Sequence, residues 1–66
     1  MQFEITRLST NERTYVVMTA MGTRYGVHDF ELERWLRNLG VGDSTIAAVL
    51  DVDPNETIAL QVAKAA

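Results

Sequence analysis

Cysteine is absent from the 66 residues. That excludes a disulfide framework and any thiolate metal site. There is a single histidine, His28, and one imidazole does not build a zinc site. The four glycines, Gly22, Gly26, Gly40 and Gly42, match no spacing that cradles a phosphate. No apolar run approaches the roughly 18 residues of a membrane-spanning helix. The opening Met1-Gln2-Phe3-Glu4-Ile5 lacks the basic-then-apolar order of a signal peptide. A cytoplasmic protein is expected, with no metal, no cofactor and no membrane partner.

Positive charge is scarce in the second half. Residues 1–26 hold Glu4 and Glu12 against Arg7, Arg13 and Arg24, net +1. Residues 27–66 hold seven acids against Arg34, Arg37 and Lys64, net −4, which recovers the chain's −3. Phosphate neutralisation supplies most non-specific nucleic-acid affinity, so this imbalance disfavours nucleic acid. It suits a partner with a basic surface.

What is present fits one small domain over residues 1–66. A chain this short buries only about 60% of its unfolded surface. Such domains add a staple: a disulfide, a metal or a second subunit. With the first two excluded, self-association remains, and a homodimer or larger homo-oligomer is expected.

The elements read as follows. Residues 2–8 alternate, Phe3 and Ile5 on one face and Glu4 and Thr6 on the other, which is a strand. Ser9 to Arg13 is a polar connection. Thr14 to Met21 is a second strand rich in β-branched and aromatic residues, ended by Gly22. Residues 23–27 read equally as loop or strand. From Asp29 to Leu39 a helix puts Leu32, Trp35, Leu36 and Leu39 on one stripe, which assigns Trp35 to the core. Gly40 stands where a helix-ending glycine belongs. A second helix starts at Asp43 or Ser44, with Asp43 as its cap, and buries Ile46, Val49 and Leu50. Asp53 to Glu56 is a turn with Pro54 in its second position. Thr57 to Val62 is a last strand with Ile58, Leu60 and Val62 on one face. Residues 63–66 read as a frayed tail. The fold class is α+β, two layers in the order β-β-α-α-β. A three-stranded antiparallel sheet, spatial order 2-1-3, is packed by a helical hairpin.

The second strand does not alternate. Val16, Met18 and Ala20 oppose Tyr15, Val17 and Met21, so both faces are largely apolar. A sheet with helices on one side only should turn a polar face to water. The expected cover is another copy of the chain. Aromatics and arginine are favoured at interfaces, which adds a contact group around the first helix. The candidate interface residues are Tyr15, Val16, Met18, Ala20, Arg24, Tyr25 and Phe30.

One segment carries a different signal. Leu32 to Asp51 resembles the bihelical unit of bacterial helix-turn-helix repressors. Gly40 falls in the turn with Val41 after it, and Thr45, Ile46 and Val49 fall where that family packs its second helix. The resemblance spans 20 of 66 residues. It implies a second helix in the major groove, with Ser44 and Thr45 reaching bases. The chain departs from the family at Leu36, where a small residue is preferred. It departs again from Gly40 to Glu56, where Asp43, Asp51, Asp53 and Glu56 stand with no Lys or Arg.

Asp51, Asp53 and Asn55 open like a calcium loop, but Glu56 takes the glycine position and Val62 the bidentate glutamate position. His28, Asp29 and Glu31 cluster at a helix start, with no nucleophile at a spacing that would use them. No catalytic residue is assigned. The expected function is a non-catalytic protein-interaction or assembly module that self-associates. The alternative is a DNA-binding regulator reading through residues 32–51.

Overall fold

The computed structural model describes residues 2–10 and 12–62. Its elements are β1 (Gln2–Arg7), β2 (Thr14–Thr19), β3 (Arg24–His28), α1 (Asp29–Asn38), α2 (Asp43–Leu50) and β4 (Thr57–Gln61). The fold is α+β: an antiparallel sheet with two helices on one face. The sheet has four strands in the order β3-β2-β1-β4. That corrects the expected three strands, and the order changes because β3 is added outside β2; the last strand does pair with β1, as expected. The segment 23–27, open between loop and strand, becomes β3.

The physical reason lies in the turn before it. Gly22 N–H donates to Thr19 O at 2.9 Å, and Thr19 N–H donates to Thr23 O at 2.9 Å. Gly22 takes φ +85°, the left-handed conformation that glycine adopts without penalty. Ala20, Met21 and Gly22 are therefore a three-residue hairpin loop with its glycine in the left-handed position. The second strand stops at Thr19 and not at Met21, and the glycine that ends it also turns the chain back into β3.

The register fixes both faces. Ile5 lies opposite Val17 and Ile58, and Val17 opposite Tyr25. Phe3 and Ile5 of β1 and Tyr15 and Val17 of β2 are buried under the helices. Leu32 and Leu36 of α1, Ile46 and Val49 of α2, and Val62 complete the core. Apart from the hydroxyl of Tyr15, no polar side chain is buried among the described residues.

Helix α1 starts cleanly. Glu31 Oε1 accepts the His28 N–H at 3.3 Å and Asp29 Oδ1 accepts the Phe30 N–H at 2.8 Å. The helix ends one residue earlier than expected, with Leu39 as its cap and Gly40 at φ +85°. In α2 the cap is Gly42, not Asp43, which is the first helical residue. Its carboxylate still faces the positive end of the helix and also accepts from Arg37 at 2.7 Å. The Asp53–Glu56 turn closes through Glu56 N–H to Asp53 O at 3.0 Å. Asn55 takes φ +67°, which with Pro54 before it is type II geometry. The expectation for residues 63–66 lies outside the described residues.

Candidate functional site

Two surfaces of this fold are left uncovered. The first is the sheet face opposite the helices. The backbone is only 16 Å deep in its thinnest direction, which is the depth of two layers. One cross-strand row of the open face reads Ala59, Glu4, Met18, Arg24, because Glu4 pairs with both Ala59 and Met18, and Met18 with Arg24. The next row reads Thr57, Thr6, Val16, Gly26. Thr6 and Thr57 share a hydroxyl hydrogen bond at 2.7 Å. Val16 and Met18 are half-buried by these neighbours. Glu4 and Arg24 stand on either side of Met18, and neither takes part in an ion pair among the described residues.

The second surface is a groove beside α1, with a volume of about 560 Å³. Phe3, Val17 and Val27 form its floor, and Thr19 and Tyr25 its sheet side. Glu31, Arg34, Trp35, Asn38 and Leu39 form its helix wall. Trp35 meets Phe3 edge-on, with ring centroids 4.8 Å apart. Its position on the stripe assigned it to the core; one side does pack on the core, and the other lines the groove. The stripe fixes a residue's angle around the helix, but not how far the partner sheet extends beneath it.

The seven candidate interface residues divide accordingly. Val16, Met18 and Arg24 come together on the open face. Tyr25 points the other way, lining the groove at 54% exposure. Phe30 is 65% exposed and stacks on His28, with ring centroids 6.1 Å apart; it lies outside the groove and beside the His28 end of the open face. Ala20 lies in the hairpin loop. Tyr15 is fully buried, its hydroxyl donating to Leu50 O, so its side chain belongs to neither surface. Sequence reasoning passed over Glu4 and the helix wall. A signal for the wall was present: Glu31, Arg34, Trp35 and Asn38 recur at i, i+3, i+4 and i+7, a second stripe beside the buried one.

The helical hairpin carries its acids outward. Asp43, Ser44, Thr45 and Asp51 are exposed; Arg37 beside Asp43 is held by Glu33 and Asp43, and Arg13 beside Asp51 is held at Leu50 O. Among the described residues no three histidine, aspartate or glutamate side chains gather as a metal site. No helix there is long and apolar enough to cross a membrane. The acids at the start of α1 bind backbone N–H groups, which accounts for them structurally. A scan against protein-family models finds no match to this chain, and searches of curated proteins and of solved structures find none either.

Proposed function

We propose that this chain is a non-catalytic interaction module that pairs with a second copy of itself through the open sheet face. The observation that carries this reading is the row Glu4, Met18, Arg24. A two-fold axis lying over β2, parallel to it, exchanges β1 with the partner's β3. It places Glu4 against Arg24 of the partner subunit at both ends of the row, and Met18 against its own copy. In the next row the same operation sets Thr6 over Gly26 of the partner subunit, a side chain above a residue that has none. The opposite choice, an axis across the strands, would stack Glu4 on its own copy. Charge and shape therefore select one arrangement, an isologous interface with aligned sheet packing.

Three overlapping strands cover about 14 Å by about 17 Å from strand spacing and rise. That is small for a specific interface, which makes the proposed association weak and transient. Multi-angle light scattering tests the reading. The mass should rise from the 7.4 kDa monomer toward twice that value as concentration is raised toward millimolar. Met18→Glu should hold the mass at the monomer. Wild type that stays monomeric at millimolar concentration removes the reading.

The DNA-reading alternative rests on the hairpin geometry of α1 and α2 and on exposed Ser44 and Thr45. The absence of any Lys or Arg from Gly40 to Glu56 weighs against it. A low-salt anisotropy titration with duplex DNA separates the two.

A further inference from the structure

We infer that the free edge of β3 and the groove beside α1 together form a site for an extended peptide segment of a partner protein. The peptide would add to the sheet as a fifth strand. This goes beyond self-association and uses neither the open face nor the two-fold axis.

The edge is defined by the hydrogen bonds that flank it. Thr19 N–H donates to Thr23 O, and Asp29 N–H donates to Arg13 O at 3.1 Å. In an antiparallel pair every second residue exchanges bonds with its neighbour. Counting inward from those two bonds, Tyr25 and Val27 bond to β2. Arg24, Gly26 and His28 turn their N–H groups outward. His28 shows it directly, because its N–H is accepted by Glu31 Oε1 at the start of α1. Arg24 and Gly26 are left presenting donors and acceptors along an edge strand, a ready template for another strand.

The groove lies on the helix side of that same strand. Tyr25 and Val27, whose side chains alternate with the outward backbone groups, line it together with Trp35 and Leu39. In an added strand, side chains in register with Tyr25 and Val27 point to the same face. They would therefore enter the groove. Backbone bonds give such complexes affinity, and pockets for alternate side chains give them specificity. The wall also selects charge. Arg34 lies on it and takes part in no ion pair among the described residues, whereas Glu31 is engaged with the His28 N–H. The occupant is thus an extended segment with apolar residues at two alternate positions and a carboxylate that reaches Arg34.

The test begins with a displayed library of random dodecapeptides selected against the intact chain. The enriched peptide is synthesised, its affinity measured by anisotropy, and amide hydrogen exchange followed in the complex. The expected consensus alternates apolar and polar residues and carries an acid. Exchange should slow at the Arg24 and Gly26 amides. N-methylation of the peptide at the positions facing β3 should weaken binding by about tenfold or more, and at the intervening positions should leave it unchanged. Arg34→Glu should weaken binding by about tenfold without lowering the melting temperature. The inference is overturned if no peptide enriches, if N-methylation has no alternating effect, or if protection maps to α2 or to the open face. It is also overturned if the Arg24 and Gly26 amides are protected without peptide in proportion to protein concentration, because a second copy then owns the edge. A dimer-breaking Glu4→Arg variant should bind peptide as wild type does, so either reading can fail alone.

Discussion

Tyr15 shows how one atom ties a hairpin to a helix. Its ring is buried in the sheet core while its hydroxyl donates to Leu50 O, one of the last four carbonyls of α2, which have no intrahelical partner. Arg13 Nη2 donates to the same oxygen. Tyr15→Phe removes one of two donors and should cost about 1 kcal/mol. Arg13→Ala should cost less, because that side chain is 45% exposed and its bond competes with water. The double substitution leaves the carbonyl bare and should cost more than the two single losses together. Urea titrations followed by Trp35 fluorescence measure all three, and strict additivity would show that the shared acceptor does not couple them. Leu36, fully buried, should cost about 2–5 kcal/mol when cut to alanine. Trp35→Ala should cost less than Leu36→Ala, because part of its ring already faces the groove. Residue by residue, the apolar stripe of α1 was legible for Leu32 and Leu36. Trp35 was legible as packing on the core but not as a groove wall, since helical angle alone does not say where the sheet beneath it stops. Tyr15 was legible as apolar and not as inward, because Val16 and Met18 further along the strand removed the alternation that marks a face.

At the scale of elements, α2 depends on cations it does not contain. Its last turn has no basic residue, and Asp51 caps it, an unfavourable charge for the negative end of a helix. The β1–β2 hairpin supplies what is missing. Arg13 reaches Leu50 O and lies 3.9 Å from Asp51, and Arg7 donates to Val52 O at 3.0 Å. Reversing this charge with Arg13→Glu should fray the end of α2. Amide exchange at Val49, Leu50 and Asp51 should then accelerate while the β1–β2 ladder stays protected, and an unchanged pattern would show the helix end to be self-sufficient. Both helices and three of the four strands were readable from periodicity and caps. The third strand was left open, because its five residues include Gly26 and only Tyr25 and Val27 are strong strand formers. The signal for it was the turn: three residues ending in Gly22, with strand-forming sequence on both sides, form a hairpin loop.

For the whole molecule, the marginal core and the uncovered sheet face are one problem. Nine acids against six bases and no cross-link leave few means of adding stability within the chain. Binding that favours the folded form adds RT ln(1 + [L]/Kd), about 2.7 kcal/mol at roughly one hundred times Kd. If the second copy supplies that stability, the melting temperature should rise with protein concentration, and Met18→Glu should melt at one temperature whatever the concentration. The geometry itself makes a sharper demand. An axis along β2 pairs Glu4 with the partner's Arg24 twice per dimer. Glu4→Arg alone therefore sets two arginines together at each contact, and Arg24→Glu alone sets two glutamates together. Each should weaken association by about tenfold or more, since like charges at an interface are costly. The double substitution Glu4→Arg with Arg24→Glu restores opposite charges and should recover association to near wild type. Mixing the two single variants should recover it as well. In their heterodimer one contact brings together the two introduced side chains and the other the two native ones, so each contact pairs an arginine with a glutamate. Dimer dissociation constants from sedimentation equilibrium compare the double variant, the mixture and each single variant. Recovery in both the double variant and the mixture requires positions 4 and 24 to face each other across the axis. Failure to recover, with the fold intact by circular dichroism, would leave the open face without its self-complementary partner.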